Sequence, residues 1–220
     1  MKILAIDTSS SVCGTAILED DKLIEENTLD NGKTHSENLM PLIKELLEKT
    51  QITLDDIDLI AVSCGPGSFT GIRIGIASIK AIAEVHNIPI AEVTSLETLA
   101  VNDSSDKNKI TLIDARNNQV YAGIFDKECN LLEEYIADDI NVVFDKMSKY
   151  SNSVFIGNGA VLHKEMLSKI EGVSFVENNN QSAYSTGKIG YKKFLKNDLK
   201  NADTIMPIYL RVSQAERMKK

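Results

Sequence analysis

Three short apolar runs, separated by brief polar breaks, open the chain and limit the folds that it can adopt. They are KILAIDTS, VCGTAILED and KLIEENTL, which start at Lys2, Val12 and Lys22. Apolar runs of this length with turn-like residues between them are typical of strands that pair with their sequence neighbours. We therefore predict an antiparallel meander of three strands at the start of the fold.

Helices and strands alternate after the meander. The segment HSENLMPLIKELLEKT predicts a helix, because Leu39, Leu42, Ile43, Leu46 and Leu47 form an apolar stripe at helical spacing, and Ser36 can cap it. A strand at LIAVS, a second helix at GIRIGIASIKAIAEVHN and a strand at PIAEVTS follow. The first hundred residues are thus predicted as β-β-β-α-β-α-β.

The second half of the chain repeats this order coarsely. The segment NDSSDKNK has no apolar residue, so we predict a boundary there between an N-terminal lobe, 1–103, and a C-terminal lobe, 104–200. Beyond it, strands precede helices again, with a second strand–glycine loop–helix at SVFIGNGA and a last helix at AYSTGKIGYKKFLKND. Residues 201–220 are predicted as a C-terminal segment that packs back between the lobes.

Charge and composition exclude several classes of protein. A formal net charge of −8 argues against binding of nucleic acid over the whole protein surface. Any RNA contact is therefore local or supplied by a partner. Two basic patches, KIGYKKFLK and the tail AERMKK, read most simply as a solvated helix face and a frayed terminus. No signal peptide or membrane span is predicted, and three cysteines without CxxC spacing fit a reducing cytoplasm.

The loop SCGPGSFTG is the first candidate for a functional site. A glycine-rich loop between a strand and a helix directs backbone N–H groups toward an anion, and the turn AIDTSS adds a carboxylate and hydroxyls. The candidate phosphate or nucleotide contacts are Asp7, Thr8, Ser9, Gly65, Gly67, Ser68 and Thr70. The specific motifs fail, however, because the spacing matches neither a P-loop, nor a dinucleotide fingerprint, nor a nucleophile elbow.

Packing offers a second explanation for the same loop. Gly71, Gly75 and Ser78 form a bare stripe on the predicted second helix, which suits close contact with another element. Both the protein's own sheet and a partner subunit fit this stripe, and the sequence leaves the two open. The predicted partner-interface residues on the two helices are His35, Leu39, Leu42, Ile43, Leu46, Phe69, Gly71, Ile72, Arg73, Gly75, Ile76 and Ile79.

Catalytic and metal-binding residues are not predicted. Cys64 with Ser68 is the candidate for a hydrolase nucleophile, but a free cysteine is more often a small buried apolar residue. His35 and Glu37 do not form HExxH, and one histidine makes no zinc site. Asp7 fits either a metal-bound water or the anchor of a hydroxyl-rich turn, and the sequence does not decide between them.

Six segments occur together in an order that identifies a resemblance. They are ILAIDTSS with GTAIL, HSENLMPLI, SCGPGSFTGIRIGIASIKAIA, IDARNNQVYAGIF, FIGNGA and PIYLR. The sequence resembles the TsaB (YeaZ) family from end to end, most specifically between Gly65 and Gly75. The resemblance implies an α/β fold of the actin/Hsp70-like (ASKHA) class, with two lobes that each hold a mixed sheet and flanking helices.

The resemblance also implies a role in tRNA modification. TsaB-like chains are implied to be non-catalytic scaffold and dimerisation subunits that bind and activate TsaD together with the ATPase TsaE. TsaD transfers a threonylcarbamoyl group, from an adenylate made by TsaC, to the adenosine next to the anticodon in tRNAs that read ANN codons. TsaD-like subunits hold a metal with two histidines on the first helix, whereas this sequence offers His35 and has Leu39 at the second position.

Further expectations accompany this resemblance. We expect no cofactor of its own, no membrane partner, and tRNA contact that is indirect or made by the basic C-terminal segment. For the chain alone, monomer and homodimer both stay open. A nucleotide at the heterodimer seam stays an open alternative. A second function from another class is a stand-alone ATP-binding phosphotransferase of the actin-like fold, which would use Asp7 and the loop GPGSFTG.

Overall fold

The computed structural model describes residues 1–211, which form two compact units. The first unit joins Met1–Thr98 to Gln181–Pro207, and the second contains Leu99–Asn180 and, within the described part of the chain, residues 208–211. The strands are β1 Lys2–Asp7, β2 Cys13–Glu19, β3 Lys22–Leu29, β4 Leu59–Ser63, β5 Ile90–Val93, β6 Asn108–Asp114, β7 Gln119–Phe125, β8 Ile136–Asp139, β9 Ser153–Ile156 and β10 Ser174–Phe175. The helices are α1 His35–Thr50, α2 Phe69–His86, α3 Ser95–Ala100, α4 Ile140–Met147, α5 Asn158–Leu162, α6 Lys164–Leu167 and α7 Ala183–Leu195.

The sheet of the first unit has the strand order β3-β2-β1-β4-β5. The first three strands pair antiparallel, which confirms the predicted meander, whereas β1, β4 and β5 pair parallel. The parallel part requires crossover connections, which α1 and α2 supply. The predicted order β-β-β-α-β-α-β is confirmed, and the sequence analysis missed α3.

The first helix begins one residue earlier than its predicted cap. Thr34, not Ser36, precedes the helix, and both the backbone N–H and the Oγ1 of Thr34 donate to the Glu37 carboxylate, at 3.0 and 2.6 Å. These bonds keep the pKa of Glu37 below its usual value. An acidic residue in the first turn also suits the positive end of the helix dipole.

Helices cover both faces of this sheet. Side chains alternate between faces along a strand, and Ala5 and Leu18 point toward Gly187 of α7, while Ala61 points toward Gly190. Their neighbours in sequence face the opposite side, where α1 and α2 pack. The glycines of α7, which weaken a helix on propensity alone, let it approach the sheet closely.

The second unit repeats the first strand for strand. Its sheet has the order β10-β9-β6-β7-β8, with antiparallel pairs among β6, β7 and β8 and parallel pairs among β6, β9 and β10. One charged side chain, Lys109, is fully buried in it, and its Nζ donates to the carbonyl oxygens of Ser105, Lys107 and Lys127 at 3.0–3.1 Å. The helix predicted to follow the glycine loop of SVFIGNGA is two short helices, α5 and α6, and β8 was not predicted.

The two units differ from the predicted lobes, 1–103 and 104–200. The division falls after Thr98, and α7 belongs to the first unit because it packs on the sheet of β1, β2 and β4. Chain order does not show that a late helix returns to an early sheet. The predicted C-terminal segment, 201–220, is described to Arg211 only, so its packing between the lobes stays a prediction.

None of the helices within residues 1–211 combines the length and the apolar character that crossing a bilayer demands.

The close packing of α7 gives a test of the fold. A Cβ at Gly190 would lie 2.5 Å from the Cβ of Ala61, which is fixed on β4. Helix propensity favours Ala over Gly by about 1 kcal/mol, but overpacking a core costs about 1–3 kcal/mol. We expect Gly190→Ala to lower the free energy of unfolding in urea, while the exposed Glu84→Ala changes it by less than about 0.5 kcal/mol. A more stable Gly190→Ala protein would contradict this packing.

Candidate functional site

The turn after β1 is built around the buried carboxylate of Asp7. Its Oδ1 accepts hydrogen bonds from the backbone N–H of Ser9 at 2.8 Å and from the Ser9 hydroxyl at 2.7 Å. Its Oδ2 accepts from the hydroxyl of Thr186, on α7, at 3.4 Å. Asp7 is therefore the anchor of a hydroxyl-rich turn, and residues distant in sequence share in holding it.

Burial controls the charge state of Asp7. The carboxyl group is withdrawn from water, and this desolvation raises its pKa above the usual value, although hydrogen bonds from Ser9, Ser63 and Thr186 act in the opposite direction. Both oxygens are already engaged by donors from the same chain. The arrangement positions the turn after β1.

The glycine-rich loop packs directly on this turn. A Cβ at Gly67 would lie 2.2 Å from the carbonyl oxygen of Ser9, and one at Gly71 would lie 2.1 Å from the carbonyl oxygen of Thr8. The Ser68 N–H donates to the Ser9 carbonyl at 2.7 Å, and the Thr8 hydroxyl donates to the Gly71 carbonyl at 2.8 Å. The two glycines are required because any side chain would overlap backbone atoms of the turn.

The single histidine of α1 belongs to the same cluster. The Nε2 of His35 lies 2.9 Å from the carbonyl oxygen of Ser10, and because a carbonyl only accepts, Nε2 is the donor. The ring also packs against Gly71, where a Cβ would lie 2.7 Å from its Cδ2. The Nδ1 is buried and has no hydrogen-bond partner among the described residues. The ring thus closes a contact between α1, α2 and the turn.

The predicted phosphate-contact residues are brought together, but they bind largely to one another. The Ser68 hydroxyl caps α2 by accepting from the Gly71 N–H at 3.2 Å, and the Gly65 carbonyl accepts from the Ser95 N–H at 2.9 Å. Thr70 is exposed at the start of α2. A nucleotide or phosphate contact at this loop stays a prediction.

Most of the predicted partner-interface side chains are not on the surface. The members that are buried within the chain itself are Leu39, Leu42, Ile43, Leu46, Gly71, Ile72, Gly75, Ile76 and Ile79. A Cβ at Gly75 would lie 2.4 Å from the Oγ1 of Thr8, so the bare stripe of α2 faces the turn after β1 of its own chain. These side chains are buried because the apolar stripe of an amphipathic helix covers the core first, and a role for them in a partner interface stays a prediction.

The outer faces of the same helices carry residues that, apart from Thr70 and Arg73, the sequence analysis missed. On α2 the exposed positions are Thr70, Arg73, Ala77, Ala81, Glu84 and Val85, and on α1 they include Met40 and Pro41. Val85 exposes 78% of its surface and Met40 exposes 48%. The sequence could have shown these residues, because they lie on the side of each helix opposite the apolar stripe. On α2 this opposite side is unusually poor in charged residues.

Arg73 and Phe69, which the sequence placed in the interface, lie toward this outer face. The guanidinium of Arg73 lies over the ring of Phe69, 5.3 Å from its centroid. Toward the other end of α2, an apolar groove of about 550 Å³ runs along α1 and is lined by Met40, Leu47, Ile52 and Ile82. The exposed surface of α1 and α2 therefore combines small side chains, one cation–π pair and a groove.

The candidate nucleophile is buried. Cys64 has no exposed surface, and burial raises the pKa of its thiol, so the reactive thiolate is strongly disfavoured. This confirms Cys64 as a small buried apolar residue. Within residues 1–211, no three His, Cys, Asp or Glu side chains lie close enough together to hold a metal ion.

The buried carboxyl group of Asp7 predicts a pH dependence of stability. A raised pKa in the folded state means that the folded protein binds more protons than the unfolded chain, so this contribution falls as pH rises from about 4. Asn preserves the shape but does not ionise. We expect the free energy of unfolding of Asp7→Asn, relative to the unsubstituted protein, to increase with pH in urea titrations.

Asp139 provides a control of opposite sign. Hydrogen bonds from the backbone and side chain of Asn141 lower its pKa, so its contribution to stability grows as pH rises. We expect the stability of Asp139→Asn, relative to the unsubstituted protein, to decrease with pH. The same pH trend for both variants would contradict the assignment of Asp7.

Comparison with known proteins shows which family the chain resembles. The model of the family described as TsaD, tRNA N6-adenosine threonylcarbamoyltransferase, matches residues 25–217. The tRNA threonylcarbamoyladenosine biosynthesis protein TsaB of Bacillus subtilis is 35% identical over 98% of this chain and 96% of its own length, and that of Haemophilus influenzae is 26% identical over 100% and 88%.

A solved structure supports the fold independently. YeaZ from Pseudomonas aeruginosa superposes with a TM-score of 0.80 at 22% identity, covering 95% of this chain and 99% of its own. The two units have sheets with the same strand arrangement. This repeated arrangement is the one expected for the actin-like fold that the resemblance implied. The chain belongs to the TsaB (YeaZ) family of tRNA threonylcarbamoyladenosine biosynthesis proteins.

Proposed function

We propose that this chain is a non-catalytic subunit that binds and activates a TsaD subunit, together with TsaE, for threonylcarbamoylation of tRNA adenosine. The observation that carries the proposal is the outer face of α2. A helix side exposed to water is normally polar, whereas this one presents Ala77, Ala81 and Val85 with few charges. Small side chains allow a second helix to approach closely, and a subunit with the same fold can supply one.

The groove beside α1 extends the proposed contact. It continues from Met40, at the outer face, toward Ile52 and Ile82. An apolar side chain of the partner would fill it and would gain about 1.5–3 kcal/mol from burial. The proposed interface therefore lies on the two helices that the sequence indicated, but on their opposite sides.

The non-catalytic assignment rests on α1. The resemblance places metal-binding histidines of TsaD at the positions of His35 and Leu39 in this chain. His35 is engaged with the Ser10 carbonyl, and Leu39 is 1% exposed in the core. The two positions therefore do not face a common open site, and a subunit of this kind contributes surface to the assembly and leaves the transfer chemistry to TsaD.

Other aspects of the assembly follow as proposals. The same outer face would form a homodimer when no TsaD is present, because an apolar surface of this kind favours burial. A nucleotide at the heterodimer seam and tRNA contact through the basic tail are carried over as expectations. The tail, 215–220, lies outside the described residues.

The stand-alone phosphotransferase is the weaker alternative. It would need Asp7 and the glycine-rich loop to bind a metal and a phosphate. In the structure, Ser9 and Thr186 donate hydrogen bonds to the Asp7 carboxylate, and the Ser9 carbonyl accepts one from the Ser68 N–H. Calorimetry of the isolated chain with MgATP distinguishes the two functions. Micromolar binding would favour the phosphotransferase.

A double substitution on the outer face tests the pairing. We expect Ala77→Glu with Ala81→Glu to abolish co-purification with a TsaD subunit, because two buried unpaired carboxylates oppose association. The melting temperature should stay nearly unchanged, because both positions are exposed. Val142→Glu, an exposed position on α4, should pair normally.

A tRNA modification assay tests whether this chain is required for threonylcarbamoylation. TsaD, TsaE and the threonylcarbamoyl adenylate are incubated with unmodified tRNA, with and without this chain, and the modified nucleoside is quantified. We expect modification to require this chain and to be lost with the double variant. Equal modification without the chain, or undiminished pairing by the double variant, would refute the proposed role.

A further inference from the structure

The loop that joins β3 to α1 holds an asparagine directly before a glycine. Asn31 and Gly32 are both exposed, and Gly32 has a φ of +72°. A Cβ at Gly32 would have no described atom within 4 Å, so the space around this residue is open. Because glycine has no side chain, its backbone nitrogen can approach the carboxamide carbon of the preceding asparagine with little steric hindrance.

The carboxamide of Asn31 is folded back over its own loop. Its Oδ1 accepts a hydrogen bond from the Lys33 N–H, two residues further along the chain, at 3.0 Å. A backbone N–H only donates, so this contact also identifies which atom of the carboxamide is the oxygen. The resulting Asx turn brings the carboxamide carbon toward the peptide bond between Asn31 and Gly32, which lies inside the hydrogen-bonded ring.

Asn38, on α1, supplies a second donor to the same oxygen. Its Nδ2 donates to the Asn31 Oδ1 at 2.9 Å, and its own Oδ1 accepts from the Asn31 Nδ2 at 3.2 Å. Asn38 is only 6% exposed, so the packing of α1 holds its amide in place. Two N–H groups therefore converge on the oxygen atom that gains negative charge when a nucleophile adds to the carboxamide carbon.

We propose that Asn31 is a self-modification site, at which the Gly32 nitrogen attacks the Asn31 carboxamide and converts it to aspartate or isoaspartate. The Gly32 nitrogen loses its proton to water and forms a bond to Cγ, while Oδ1 carries the negative charge between the Lys33 and Asn38 donors. The bond from Cγ to Nδ2 then breaks, and this nitrogen leaves as ammonia after it takes one proton from water. Water opens the succinimide ring at either carbonyl, so the net change is addition of water and loss of ammonia, without oxidation or reduction.

The second Asn-Gly pair of the sequence has a different environment. Asn158 and Gly159 lie in the first turn of α5, where the Asn158 Oδ1 accepts from the Asp114 N–H, at the end of β6, at 2.9 Å. A Cβ at Gly159 would lie 3.0–3.1 Å from atoms of Leu112, so the backbone is closely packed there. This pair is therefore an internal control, because it has the same dipeptide with its carboxamide turned toward a neighbouring strand.

Incubation of the full chain near neutral pH, followed by peptide mapping with mass spectrometry, measures the conversion at both sites. We expect Asn31 to convert faster than Asn158. We also expect it to convert faster than the same asparagine in a synthetic peptide of residues 27–36, which has the dipeptide but not the Asn38 donor. Equal rates in the folded chain and the peptide, or faster conversion of Asn158, would overturn the proposal.

Substitution of Asn38 tests the second donor. We expect Asn38→Leu to slow the conversion of Asn31 by about 2–10-fold, the range that one neutral hydrogen bond supplies. Asn38→Ala removes the same donor with less bulk, and it gives the same test if circular dichroism shows that the leucine variant does not fold. Ser36→Ala removes a hydroxyl that contacts Thr34 in the first turn of α1, and it should leave the rate unchanged. Faster conversion in the folded Asn38 variants would show that the amide pair protects Asn31, and the proposal would fail.

The modification breaks the reciprocal amide pair between the loop and α1. Aspartate or isoaspartate at position 31 lacks the Nδ2 donor, so the Oδ1 of the buried Asn38 loses this hydrogen bond. Ion exchange separates the modified chains by their added negative charge, and we expect them to melt about 2–4 °C below the unmodified chain. An unchanged melting temperature would contradict this effect of the modification on α1.

Discussion

The first unit depends on the contact between the turn after β1 and the loop before α2. Two backbone segments meet there without intervening side chains, because the Thr8 and Ser9 carbonyls occupy the space of Cβ atoms at Gly71 and Gly67. Hydrogen bonds from Ser68 and Thr8 then fix the register of α2 on the sheet. A loop that resembles an anion site by composition thus acts here as a tight joint between a helix and a strand.

The position of α2 in turn determines which surface remains outside. Once Gly71, Gly75 and the isoleucines of α2 face the sheet, the residues left on the outer side are small and weakly charged. On the other face of the sheet, Gly187 and Gly190 bring α7 close to the strands. One sheet therefore carries α1 and α2 on one face and α7 on the other, and the exposed side of α2 is its weakly charged surface.

The assignment of residues to the core or to an interface was the main weakness of the sequence analysis. Leu39, Leu42, Ile43 and Leu46 were correctly read as an apolar stripe, but a stripe has the same pattern whether its own sheet or a partner covers it. The late return of α7 to the first sheet also had no local signal, because it depends on contacts with residues more than a hundred positions away. The Asp7–Thr186 bond is one such contact.

Local chemistry alone was enough for other features. Apolar runs separated by turn residues were enough to predict the meander, and the apolar stripe at helical spacing was enough to predict α1. The order of the sequence motifs was enough to identify the family. These succeed because periodicity and turn preference are properties of neighbouring residues. The tertiary structure alone decided that the glycines of α2 face inward and that Asp7 is held from α7. Each of these depends on which distant backbone comes within contact distance, and a linear pattern does not contain that information.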